Sequence, residues 1–131
     1  MIGPGLLAAL LAQATPATPA QTQPLAVPPR DWSTLPELKL QRIWRDQTGL
    51  SDFVRDEVRA GRCSVTTKEI RVDLAVHVTG DGQVRRIIPR AIDCPTVEQY
   101  ASGLMSRMAR GNVVASGDDA WFRATLIFAW P

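Results

Sequence analysis

Few side chains in this chain can do covalent or acid–base chemistry. Its 131 residues include one histidine, His77, and two cysteines, Cys63 and Cys94. Three such ligands cannot complete a four-ligand His/Cys zinc site. Nucleophilic catalysis needs a nucleophile held by a base. The candidates reduce to a Cys63–His77 or Cys94–His77 dyad, and either requires a free thiol. Adjacent acids occur as Asp56-Glu57 and Asp118-Asp119, on a helix face and in a turn, where solvation accounts for them. Gly80-Asp81-Gly82 lacks the third glycine of a phosphate-cradling loop and leads into a strand rather than a helix. Arg85, Arg86, Arg90, Arg107 and Arg110 are a basic set without interleaved aromatics. A net charge of +2 is too small to argue for nucleic acid or an anionic membrane surface. The expectation is a non-enzymatic chain with no catalytic residue, no metal and no cofactor, whose surface recognises protein.

A small set of elements must position these residues. In residues 70–79, Ile70, Val72, Leu74, Val76 and Val78 point one way and Arg71, Asp73, Ala75, His77 and Thr79 the other, the alternation of a half-buried strand. Gly80-Asp81-Gly82-Gln83 is turn chemistry, and a partner strand returns from Val84 to Ile92. Its phase is broken, and Pro89 cannot donate to a ladder, so a bulge or an edge lies near it. From Pro95 a helix carries the stripe Val97, Tyr100, Ala101, Leu104, Met105 and Met108, and Gly111 ends it. A last strand from about Trp121 to Trp130 puts Phe122, Ala124, Leu126, Phe128 and Trp130 on one face. Trp121, Arg123, Thr125, Ile127 and Ala129 share the other.

Upstream, Thr34-Leu35-Pro36-Glu37 has the form of a capped helix start, although Leu38-Lys39-Leu40-Gln41 also alternates like a short strand; a helical turn or two is the favoured reading. Ser51 caps a short helix with the stripe Phe53, Val54 and Val58, stopped at Gly61. The order α-β-β-α-β gives the fold class: α+β, a small three-stranded, mostly antiparallel sheet with a helix packed on one face.

The amino end reads as processing and tether. Residues 1–29 carry no charge. The apolar run from Leu6 to Ala12 ends in Ala12-Gln13-Ala14, the small-x-small form that a signal peptidase cuts. The run is about half of the ~20 residues a membrane-crossing helix needs, so no permanent membrane span is expected. The usual Lys or Arg before it is missing, so either the signal is atypical or the true start lies upstream. The organisation read here is a signal peptide over 1–14 cleaved after Ala14, a Pro-rich linker over 15–33, and a domain over 34–131, placed in the periplasm. In an exported protein, Cys63 and Cys94 at the ends of elements read as a disulfide; two buried free thiols are the alternative.

The ordered combination over residues 51–131 resembles the carboxyl-terminal domain of TonB-family energy transducers. It comprises a short helix ending at Gly61, the strand Ile70-Arg-Val-Asp-Leu-Ala-Val-His-Val78, the turn Asp81-Gly82-Gln83-Val84, an amphipathic helix, and the closing strand Arg123-Ala-Thr-Leu-Ile-Phe128. A Pro-rich spacer ahead of the domain also looks like that family. The chain departs from the pattern in its short apolar run and uncharged spacer, in Phe53-Val54 where the family has Tyr-Pro, and in Ile92-Asp93-Cys94-Pro95 where it has a Ser-Ser-Gly turn. The resemblance implies that the last strand pairs with an extended peptide of a protein partner in the cell envelope, such as an outer-membrane receptor. It supports force transduction less, since no anchor couples the chain to a motor. Trp121, Arg123, Thr125 and Ile127 are the partner-binding candidates. The alternatives are a homodimer built through the same strand, or burial of Trp121 and Ile127 beneath the segment holding Trp32 and Trp44.

Overall fold

The alternating strand at the centre of the sequence is also the centre of the sheet. The computed structural model describes residues 27–43 and 49–131. The proposed signal peptide, most of the Pro-rich linker, and Trp44 lie outside the described residues. Strands β1 (Glu69–Val78), β2 (Val84–Pro89) and β3 (Ala120–Ala129) form one antiparallel sheet in the order β2-β1-β3. Helices α1 (Asp52–Arg59) and α2 (Pro95–Ala109) complete an α+β fold. A hairpin joins β1 to β2, and α2 carries the chain over one face to β3 on the far side of β1.

The periodicities explain the packing. Ile70, Val72, Leu74, Val76 and Val78 of β1 are at most 5% exposed and meet Val97, Ala101, Leu104 and Met105 of α2, with Ala124 and Phe128 of β3. Val54 of α1 joins this core, whereas Phe53 of the same stripe is 39% exposed and leans on the Tyr100 ring, 4.7 Å between centroids. The opposite sheet face holds a second, smaller cluster of Trp32, Leu35, Ala75 and Trp121.

The broken phase of β2 has a local cause. Val84 lies opposite Val78 and Arg86 opposite His77, so Arg85 is the extra residue of a bulge beside the turn. With Arg85 discounted, Val84 and Ile87 share the core face, and Ile88 falls to the second cluster. Pro89 sits in register with Leu74 on an edge strand, where a missing outward donor costs no ladder bond. The strand stops there rather than at Ile92. Asp93 takes a positive φ of 59°, and Glu98 Oε2 accepts from the Ile92 and Cys94 amides at 2.9 and 3.1 Å, which turns the chain into α2.

The amino-terminal segment departs most from expectation. A single 3-10 turn forms earlier, at Trp32–Thr34, where Asp31 Oδ1 accepts from Ser33 N at 3.0 Å. The chain beyond it is extended, not helical. Glu37 bridges Arg123 in parallel and Leu40 bridges Val113 in antiparallel. A helix of one or two turns is marginal by itself; pairing with the edge of β3 gives the same backbone groups lasting partners. The strand-like alternation of Leu38 and Leu40 was the operative signal, since both pack against the main core.

Cys63 and Cys94 form a disulfide, with Cα atoms 4.9 Å apart, tying the loop after α1 to the start of α2. The described residues hold no free cysteine. At the hairpin end, Gly80 is a close-approach glycine: a Cβ there would lie 2.7 Å from the Gly117 carbonyl oxygen. Asp119 Oδ1 accepts from the Gly80 amide at 2.8 Å, so one acid of the Asp118-Asp119 pair fastens two loops together.

Candidate functional site

A strand at the edge of a sheet leaves every second residue's backbone groups facing outward. Both edges here are such rims. That of β2 is blunted by its six-residue length, the bulge at Arg85 and Pro89. That of β3 is longer and only partly used.

Contacts on the rim of β3 show which residues face outward. Arg123 N donates to Pro36 O at 2.8 Å, and Leu38 N donates to Arg123 O at 2.8 Å. By alternation Thr125, Ile127 and Ala129 face the same way, while Ala124 and Leu126 bond to β1. The Ala129 amide donates to Ser51 Oγ at 3.1 Å. Ser51 was expected to cap α1, but its hydroxyl makes no cap bond and serves this edge amide instead. Between the two clamps, the outward backbone groups of Thr125 and Ile127 have no partner among the described residues.

The four candidate side chains are therefore divided by the fold. Trp121 is 5% exposed, covered by Trp32 and Leu35 and stacked on His77 at 5.2 Å. In this fold it is a packing residue of the second cluster and not an exposed one. The amino-terminal segment covers it because this face of the sheet offers Ala75 and Trp121 as apolar ground, with Arg90 closing over Trp32 at 4.2 Å. Arg123 is half-buried, with both backbone groups occupied. Thr125 is exposed, and its hydroxyl donates to Asp73 Oδ1 at 2.8 Å. Ile127 is 60% exposed.

Two adjoining depressions flank this window and share Met108, Thr125 and Leu126. One, of about 310 Å³, is walled by Leu50, Leu104 and Phe128; the other, of about 180 Å³, by Leu38, Leu40 and Met105. The groove is thus mostly apolar and runs between β3 and the second half of α2. Tyr100 anchors Leu50, one of its walls. Burial pushes its hydroxyl pKa upward, against the pull of the Arg107 charge, and the protonated group donates to Leu50 O at 2.8 Å. Sequence reasoning missed Leu50, Ser51 and Met108 as groove residues, because only the strand order puts them beside a free edge.

The polar side of the window centres on Asp73. Burial alone would raise its pKa, but hydrogen bonds from Thr125 and Arg71 and the charges of Arg71 and Arg90 outweigh it and hold the carboxyl below its ordinary value. A depressed folded-state pKa contributes stability that is present above the unfolded pKa of about 4 and disappears as pH falls through the folded one. In urea unfolding, the stability gap between the native chain and Asp73→Asn is expected to hold steady from neutral pH to about 5 and to shrink below about 4. A gap unchanged to pH 2 would show that Asp73 is not engaged.

The other chemistry-bearing residues do not assemble. His77 Nε2 is buried beneath Trp121, with no hydrogen-bond partner among the described residues. Both sulfurs are committed to the disulfide. Glu57, read as a solvated acid, is 7% exposed and joins Arg62 Nη1 at 2.8 Å and Thr96 Oγ1 at 2.5 Å, tying α1 to α2. Among the described residues no group of three or more His, Cys, Asp and Glu could hold a metal ion. A depression of about 490 Å³ opens beside the hairpin turn, where the one carboxylate among its described lining residues, Asp81, accepts from the Thr79 hydroxyl. Among the described residues no helix is long and apolar enough to cross a membrane.

No family model, curated protein or solved structure matches the chain. None of these comparisons identifies a TonB-family domain.

Proposed function

We propose that this chain is a non-enzymatic recognition domain of the cell envelope, exported to the periplasm, that takes an extended segment of a partner protein onto β3 by strand addition. One observation carries the reading: the outward backbone groups of Thr125 and Ile127 stand open beside an apolar groove, with Ile127 60% exposed. In strand addition, main-chain hydrogen bonds supply affinity and pockets for alternate side chains supply selectivity. The window has both features. It is short, because the protein's own residues 36–38 and Ser51 hold its two ends. The partner segment is accordingly a few residues of extended chain with an apolar side chain over Met108 and Leu126. A disulfide supports an oxidising compartment.

Peptides selected from a display library against the full chain provide the probe. Thr125→Pro removes an outward amide without touching the ladder to β1. It is expected to weaken peptide binding at least tenfold, the scale of about 1.4 kcal/mol, while Thr125→Val, which loses only the hydroxyl bond to Asp73, binds within a few fold of the native chain. Unchanged affinity of a folded Thr125→Pro variant would remove the window from the account. Sedimentation at micromolar concentration separates this reading from self-pairing of β3: a monomer that binds peptide supports partner recognition, and a dimer dissolved by Thr125→Pro supports the homodimer.

A further inference from the structure

A second surface carries an assignment of its own, independent of strand addition. Arg42, Arg107 and Arg110 line one pocket of about 280 Å³ together with Ile43, Met108 and Asn112, and among the described residues no carboxylate belongs to its lining. Two of these arginines have an ordinary explanation. Arg107 lies in the last turn of α2 and Arg110 just beyond it, where the carbonyl end of a helix favours cations. Arg42 does not share that origin. It arrives on the amino-terminal segment and is fixed there by Asn112, a side chain only 6% exposed. Asn112 Oδ1 accepts from Arg42 N at 2.8 Å, while its Nδ2 donates to Arg42 O at 2.9 Å and to Met108 O at 3.0 Å. These bonds hold the backbone of Arg42 against the end of α2, so that a third arginine lines the pocket.

Like charges converging on one space repel. The ion pairs among the described residues engage Arg55, Arg62 and Arg71, and none reaches these three arginines. We propose that Arg42, Arg107 and Arg110 form a binding site for a phosphate-type oxyanion. A group with several charged oxygens matches the forked donors of more than one guanidinium at once, which a single carboxylate does less well. Ile43, 80% exposed beside the pocket, and Met108 give the site an apolar margin. That margin suits a phosphate ester carried on an apolar body, either a phospholipid headgroup or a soluble ester.

The test uses the full chain and two probes. Inorganic pyrophosphate is titrated while arginine side-chain NMR signals are followed. Vesicles of phosphatidylcholine with and without phosphatidylglycerol are tested by co-sedimentation. Arg42→Gln, Arg107→Gln and Arg110→Gln are each expected to weaken binding roughly fivefold, and Arg85→Gln, with the same change in net charge, to leave it unaltered. The Asn112 bonds use the backbone of Arg42, so Arg42→Gln keeps the latch, which a melting curve matched to the native chain verifies. Pyrophosphate binding with co-sedimentation only on phosphatidylglycerol vesicles identifies a headgroup site; pyrophosphate binding alone identifies a soluble ester. No saturable binding of either probe, or equal weakening by Arg85→Gln, overturns the proposal.

Discussion

Opening the Cys63–Cys94 disulfide is expected to destabilise the domain by roughly 3–4 kcal/mol. The bond closes a loop with a sequence separation of 31, and cross-linking a loop of that length removes about this much conformational freedom from the unfolded chain. Both cysteines are buried, at 6% and 1% exposure, so replacement by alanine also removes packed sulfur, and reduction of the native chain isolates the loss of the cross-link itself. The joint it spans has a second tie, Glu57 to Thr96 and Arg62, which keeps α1 against α2 once the covalent bond is gone. The native arrangement should therefore survive at 25 °C, and the loss should appear as a lower melting temperature. For a folded part of about 100 residues, this corresponds to a fall of roughly 12–30 °C. Thermal melts of the native chain with and without reductant, and of the Cys63→Ala/Cys94→Ala double variant, check it. Melting points within two or three degrees of one another would mean that the loop is already constrained without the bond.

Leu74→Ala has an effect of similar or larger size for a different reason. Leu74 is fully buried at the centre of β1, flanked by Pro89 of β2 and Ala124 of β3, and roofed by α2. Truncating a buried leucine costs roughly 2–5 kcal/mol, the upper part of that range applying where neighbours cannot close the gap. Strands on both sides and a helix above leave little room to relax. Against a total of about 5–15 kcal/mol for a small domain, such a loss brings the chain close to unfolding. Ile127→Ala, on the exposed face of β3, should move stability by no more than about 0.5 kcal/mol. Urea unfolding of the pair separates residues that hold the fold from those that face outward; comparable losses would mean that Ile127 is covered by something the groove does not reveal.

How far the chain could be read from its residues differs element by element. The alternation from Ile70 to Val78 and the stripe from Val97 to Met108 each matched one period cleanly, because each element buries a single face. The bulge in β2 was visible only as a broken phase. The inserted residue is Arg85, whose type says nothing about register. Around Thr34 the residue pattern satisfied a helix cap, yet the edge of β3 supplied backbone partners that local propensity could not foresee. Trp121 belonged to the alternating outer face as expected, but which part of that face the chain would cover depended on Trp32 and Leu35, nearly 90 positions earlier. The apolar pair in that otherwise polar stretch was the available signal. Glu57 was misread for the same reason of distance, since its partner Thr96 lies 39 positions away. The candidate window was legible as a set of residues on the last strand. Its limits at Arg123 and Ala129 were not, because both are drawn by side chains and backbone from elsewhere.

Strand addition on β3 requires an extended ligand to meet the sheet at the outward amides of Thr125 and Ile127. Backbone amide NMR of the full chain, titrated with a library-selected peptide, reads this position directly. The Thr125 and Ile127 amides should shift most and exchange with solvent more slowly, whereas Ala124 and Leu126, already bonded to β1, should change little. Perturbations confined to Arg85 and Ile87 on the β2 edge, with Thr125 and Ile127 silent, would contradict it.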